Sequence, residues 1–411
     1  MKVKMKYKYI LFLYFLSIIS PFSTLCADRV KENQIDKFII AGWVGPHQTK
    51  KQYRLYKEAG FNTILDYYWE GDDYKKAFKL AKKAGDLNIL VNIDQRLLRH
   101  NNIKGHNFSV KIENFINEIK EYNENKGYFL YDEPESNNIP MLIETIKIIQ
   151  KGAPEKLIWI NFAVEKNYTT ARSLLDKFVP SIISTDYYPF ENNKNRMNDY
   201  YHFLDWFREL SSDYNVPFWA FVQSSGFKDS GGDKRPPTPE EIRLQVYTNI
   251  AYGAKGIWYF TYVTPRHAKG ITSAILDKHD NPTSTYETVK TINKEILSIA
   301  PLLVKLKTKE VVHVGKIHKG LKQFTPDRFI SNVNGSNLII GYFSDSDNIN
   351  YIMVVNKQTD CKNNIGLTFG EAVNLIFLLN KMTGEENKVE AINRRYQFEL
   401  QGGDGILLKL M

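Results

Sequence analysis

Two carboxylates stand side by side in Tyr131-Asp132-Glu133-Pro134, directly after the apolar run Tyr128–Tyr131. Adjacent acids facing one cleft raise one another's pKa, which lets one of them keep a proton near neutrality and serve as a general acid. Polar and aromatic residues close other apolar runs in the same way: Gly42-Trp43, Asp66-Tyr67-Tyr68-Trp69, Asn92 with Asp94, Asn161, Asp186-Tyr187-Tyr188-Pro189, Gln223-Ser224-Ser225, and Tyr259 to Tyr262. Carboxylates and amides hydrogen-bond hydroxyl groups, and aromatic faces stack on the apolar faces of sugar rings, so the set suits a carbohydrate. Glu133 and Asp186 are the candidate catalytic carboxylates. Asp66, Trp69, Asp94, Asp132, Tyr188, Gln223, Trp258 and Tyr262 are the candidate substrate contacts. His47, His100, His106 and His267 are dispersed, and no His/Cys group has metal-ligand spacing, so neither a metal nor a cofactor is expected.

These residues need a scaffold that brings strand ends together. Between residues 35 and 306 eight apolar runs recur: Phe38–Val44, Asn62–Tyr67, Asn88–Ile93, Tyr128–Tyr131, Leu157–Phe162, Ser181–Tyr187, Pro217–Val222 and Gly256–Tyr262. Several are apolar throughout, as in parallel strands buried on both faces. Amphipathic stretches separate them: Lys50–Ala59, Asp73–Ala84, Val110–Asn125, Ile139–Lys151, Tyr168–Phe178, Asp199–Ser211, Pro239–Tyr252 and, last, Tyr286–Leu297. Thr238-Pro239-Glu240-Glu241 offers an N-cap, a proline at the first helical position and a capping-box glutamate. Eightfold alternation predicts an α/β fold, a (β/α)8 TIM barrel over 35–306 with its site at the C-terminal strand ends. Trp43-Val44-Gly45-Pro46 is no dinucleotide-binding turn. Over 307–411 the helical period disappears. Val311–Lys316, Asn337–Phe343, Tyr351–Asn356, Ala372–Leu378, Tyr396–Leu400 and Ile406–Leu410 predict a small C-terminal antiparallel β-sandwich.

Tyr131-Asp132-Glu133-Pro134 resembles the Asn-Glu-Pro signature of barrel glycoside hydrolases of the large retaining clan. The segments 235–243, 253–260 and 281–295 are similar to the same enzymes, in particular to β-galactosidase-like barrels and glycosidase-like proteins of polysaccharide-degrading bacteria. The resemblance spans roughly residues 35–305 and implies a glycosidase in which Glu133 is the general acid/base. The chain departs from the clan at two positions. Asp132 replaces the asparagine before the glutamate. Gln223 ends the seventh run, where the clan places its nucleophilic glutamate, and an amide cannot serve as that nucleophile. The partner carboxylate must then come from another strand: Asp186 first, Asp66 or Asp94 next. Substrate-assisted hydrolysis, with Asp186 orienting an N-acetyl group, is a further route. The rival reading is a catalytically inactive barrel that binds carbohydrate, and a weaker third is a carbohydrate lyase or another exported barrel hydrolase.

Lys2, Lys4, Lys6 and Lys8 precede an apolar run from Ile10 to Phe22 that exits through Thr24, Cys26 and Ala27. Residues 1–26 read as a secretory signal peptide, which predicts a secreted, periplasmic or cell-surface protein without a membrane span. Cys26 at the exit offers a thiol for a lipid anchor, although Leu25 is a poor match to the small residue such signals favour. With the leader removed, the formal charge of +9 falls to +5. Scattered lysines such as Lys76, Lys79, Lys82 and Lys83 form solvated helix faces, so no nucleic-acid partner is expected.

Overall fold

The structure, a computed structural model, describes residues 28–29 and 36–411 except 67, 70, 86, 99–105, 164–167, 230–231 and 267–269. The expected leader, Cys26, His100 and His267 lie outside the described residues.

Eight parallel strands close into a barrel. They are β1 (Ile39–Trp43), β2 (Thr63–Leu65), β3 (Asn88–Asn92), β4 (Asn125–Asp132), β5 (Leu157–Ala163), β6 (Ile182–Asp186), β7 (Phe218–Gln223) and β8 (Gly256–Phe260). β8 pairs with both β1 and β7, which completes the ring. The helices are α1 (Lys50–Glu58), α2 (Tyr74–Lys83), α3 (His106–Ile119), α4 (Ile139–Gly152), α5 (Tyr168–Leu175), α6 (Met197–Tyr214), α7 (Pro239–Ala251) and α8 (Ser284–Leu303). The eight expected strands are therefore the eight barrel strands.

Alternate strand residues fill the barrel. Leu90, Phe129, Trp159, Trp219, Phe221 and Trp258 form a closed interior cluster. Trp159 stacks on Trp258 with centroids 4.4 Å apart and lies 4.3 Å from Phe129. Tryptophan rings this large leave no pore, so a ligand can only enter from a mouth of the barrel.

Nine strands follow the barrel: β9 (Lys307–Val314), β10 (Ile330–Asn334), β11 (Leu338–Ser344), β12 (Asn350–Asn356), β13 (Asn363–Phe369), β14 (Ile376–Leu379), β15 (Glu386–Lys388), β16 (Arg395–Leu400) and β17 (Gly405–Leu410). They make a six-stranded sheet, β9-β11-β12-β17-β14-β15, and a three-stranded sheet, β10-β13-β16. All pairings are antiparallel, which gives the expected sandwich.

One face of the large sheet packs against the other. Its opposite face, with Ile339, Phe343, Tyr351, Met353, Val355 and Leu407, joins the core between barrel and helices. The contact is close. A Cβ on Gly341 would collide with the Ala251 carbonyl at the end of α7, and one on Gly403 with the Glu240 carbonyl at its start. As a result α7 is enclosed over most of its length, and ten of its residues from Glu241 to Ala251 are buried.

Candidate active site

The Asp132-Glu133 pair is pinned from both sides. The Asp132 amide N–H donates to Asp94 Oδ2 at 3.1 Å, and the Glu133 N–H donates to the Asn161 carbonyl at 2.9 Å. Glu133 has a left-handed backbone, φ 54°, which costs a non-glycine residue about 1 kcal/mol. That turn ends β4 and leaves the Glu133 side chain exposed at the rim, while Asp132 stays half-buried.

Asp186 ends β6 and faces the same pair. Its Oδ1 accepts a hydrogen bond from Asn161 Nδ2 at 3.1 Å, and the same nitrogen donates to Asp132 Oδ1 at 3.0 Å. Part of the Asp186 residue remains accessible, but the carboxyl sits deep among protein atoms. Burial, then the negative charges of Glu133 and Asp132, hold its pKa well above the usual aspartate range. The Tyr188 hydroxyl hydrogen-bonds Asp186, and its own pKa is pushed up by burial first and by Asp186 next. Three carboxylates from the ends of β4 and β6 thus share one end of the barrel, and the surroundings of the one on β6 favour its protonated form.

Several expected contacts prove to be structural. Asp66 is 2% exposed. Its Oδ2 pairs with Arg96 at 2.6 Å and its Oδ1 accepts the Asn92 N–H at 2.6 Å, so no oxygen faces a ligand. Burial nevertheless outweighs Arg96 and raises the Asp66 pKa. Asp94 is wholly buried and supports Asp132 from below. Trp258 lies inside the barrel, and Tyr262 packs between Tyr56 and Phe61 on its outer side, so neither is a sugar platform. Gln223 is also buried and fully engaged. Its Oε1 accepts the Phe190 N–H at 2.9 Å, while Nε2 donates to the Phe190 and Arg235 carbonyls at 3.0 and 2.7 Å. It ties the loop after β6 to the loop after β7 instead of binding a sugar. Arg235, in that loop, forms a two-armed ion pair with Glu241 at 2.7 and 2.6 Å.

Trp69 and Tyr188 remain partly exposed at the rim. One face of Trp69 is taken by His47, with centroids 4.1 Å apart. Two more rim aromatics complete the mouth, both within the run-closing groups of the sequence but not among the candidate substrate contacts. Trp43 ends β1 and meets Tyr68, Phe129 and Phe221 edge-on, which makes it the floor. Phe260 ends β8 and packs 4.9 Å from both Tyr188 and Phe227. Both end barrel strands, as Asp186 does. Among the described residues no three His, Cys, Asp or Glu side chains are grouped to hold a metal ion. Nor is any described helix long and apolar enough to cross a membrane.

Residues 135–299 match the glycoside hydrolase family 42 model, described as Beta-galactosidase. The match covers less than half of the chain. It starts just after Glu133 and takes in Asp186 and Gln223. No curated protein matches the sequence. Among solved structures, a catalytic mutant of Gan42B, a family-42 β-galactosidase from G. stearothermophilus, superposes with a TM-score of 0.63 at 10% identity, covering 93% of this chain and 99% of that one. The β-galactosidase of Bacillus circulans sp. alkalophilus gives 0.62 at 7% identity, with 92% and 99% covered. The cold-adapted β-galactosidase of Rahnella sp. R3 gives 0.52 at 11%, with 68% of this chain aligned to 58% of that enzyme. At such identities the likeness shows a shared fold, barrel and sandwich included.

Proposed function

We propose that the protein is an exported glycoside hydrolase that cleaves an oligo- or polysaccharide with Asp186 and Glu133 as its acid–base pair. The observation that carries this reading is the convergence of the two carboxylates at one barrel mouth in unlike surroundings, one deep and proton-retaining, the other exposed. Two such carboxyls are what glycosidic cleavage requires: one protonates the leaving oxygen and the other handles water or the sugar. The surroundings favour Asp186 as proton donor and Glu133 as the ionised partner, the reverse of the roles that the resemblance implies. The reason is physical, since a carboxyl crowded by two negative charges and withdrawn from water is the last to ionise. The family match and the β-galactosidase neighbours make β-galactosides the first substrates to test.

The test is the pH dependence of kcat/KM on β-galactosides and on a wider glycan panel. Asp186→Asn and Glu133→Gln should each lower turnover by at least about 10²-fold. Residual activity of Asp186→Asn should lose its alkaline limb, and that of Glu133→Gln its acidic limb. Exchanged limbs would return the acid role to Glu133. Full activity in both variants would sink the pair. Export follows from the leader, and mass spectrometry of the mature N-terminus from the host envelope checks it; an intact leader would count against it.

Gln223 favours a second reading, a barrel that binds glycans without cutting them. Saturable binding with no new reducing ends across the panel would decide for it.

A further inference from the structure

Asn161 lies in the C-terminal half of β5, opposite Asp132 in the strand register, and is 1% exposed. Its single amide nitrogen carries two hydrogens, and both are committed, one to Asp132 Oδ1 at 3.0 Å and one to Asp186 Oδ1 at 3.1 Å. The other end of the amide is held as well. The Ser184 hydroxyl donates to Asn161 Oδ1 at 2.6 Å, and the Trp159 indole N–H donates to that hydroxyl at 2.7 Å.

This chain has a direction. An indole N–H can only donate, so the Ser184 oxygen accepts and its one hydrogen points on to Asn161. The amide oxygen is thereby held toward Ser184 and the amide nitrogen toward the carboxylates. A flipped amide would set its oxygen against two acids and leave the serine hydrogen facing a donor.

We propose that Asn161 is the positioning residue of the carboxylate group, tying Asp132 to Asp186 while the Trp159–Ser184 chain behind it locks the amide in the donating orientation. Its kinetic consequence rests on the hydrolase reading; its geometry does not. Hydrogen bonds to an ionised carboxylate favour that form, so Asn161 opposes the influences that raise Asp186. Those influences are burial, Glu133 and Asp132 from β4. Tyr188 faces Asp186 from its own loop, and Asp94 on the β3 side stands one step behind Asp132. Without the lock the acid would hold its proton to still higher pH.

The experiment is a carboxyl-carbon NMR titration of the full chain, with the high-titrating aspartate assigned by its loss in Asp186→Asn. Asn161→Ala and Ser184→Ala should both move that midpoint upward by about one unit, the size of one lost hydrogen bond to a charged group. Ser184→Thr, which keeps the hydroxyl, should return it to the wild-type value. An unchanged midpoint in folded Asn161→Ala and Ser184→Ala overturns the proposal. If Asn161→Ala does not fold, Ser184→Ala and Trp159→Phe decide it alone. In kinetics, the alkaline limb should shift upward with kcat affected more than KM. A wild-type protein that hydrolyses no glycan would remove the hydrolase reading and leave the titration result standing.

Discussion

Replacing the Gln223 amide by a carboxylate asks what that position is for. Gln223→Glu would set a charged oxygen against the Phe190 and Arg235 carbonyls that now receive its Nε2 hydrogens. We expect a loss of about 2–3 kcal/mol in urea denaturation and no gain in hydrolysis. A rise in turnover would show instead that the site accepts a strand-seven nucleophile and that the amide is a lost catalytic group. The same residue shows how far strand-end reasoning goes. Asp186, Asp132 and Glu133 were legible because they close apolar runs, and they do converge. Asp66 closes a run too, but it turns sideways because Arg96, thirty residues along the chain, pairs with it. Nothing in local spacing reveals such a partner. Trp258 and Tyr262 differ for a simpler reason. Alternation along β8 sends Trp258 into the barrel, and Tyr262 lies past the strand, where it meets the helix layer.

At the scale of elements, α7 was the best marked in the chain and it forms as marked. The Thr238 hydroxyl accepts the Glu241 N–H at 3.3 Å and the Glu241 carboxylate returns the bond to Thr238 N–H at 2.9 Å. Glu241 also carries the Arg235 pair, so the cap anchors the loop that Gln223 ties down. Thr238→Ala should cost about 1 kcal/mol and lower Tm by a few degrees in calorimetry. An unchanged Tm would mean that packing alone fixes this helix start. Elements with weaker signals were displaced or overlooked. The third helix was expected over Val110–Asn125, but it runs from His106 to Ile119, and β4 already begins at Asn125. Asn125 looks like a loop residue, yet it is buried, donating to the Ile119 carbonyl and accepting the Gly127 N–H. Three sandwich strands were not expected: Ile330–Asn334 and Glu386–Lys388, which are mostly exposed and polar, and Asn363–Phe369, which opens on two asparagines and carries a glycine at its centre.

Across the whole molecule, barrel and sandwich are joined by charge as well as by apolar packing. Arg243 on α7 bonds Glu295 on α8 at 2.6 Å and Asp404 beside β17 at 3.1 Å, and Lys381 closes the group on Asp404 at 2.6 Å. His313 on β9 is buried at the same junction, its Nε2 2.9 Å from the Tyr252 hydroxyl. Burial first, then the nearby Lys357 and other histidines, lowers its pKa to about 3. A histidine held below its unfolded value binds its proton mainly in the unfolded chain, so stability falls as the pH drops from about 6.5 toward 3. The loss should approach roughly 4 kcal/mol, read as denaturation midpoints across that range. His313→Gln should flatten the slope, and equal slopes in both proteins would refute the assignment.

The enclosure of α7 has a consequence for how the chain can vary. An ordinary barrel helix shows one side to water and can drift there, so its tolerated positions recur every third or fourth residue. The barrel wall lies on one side of α7, and the sheet bearing Gly341 with the turn bearing Gly403 on the other. In a saturation mutational scan of residues 241–251, intolerance should run through consecutive positions, as it does in a central strand. To selection, this helix would look like the ninth stave of the barrel.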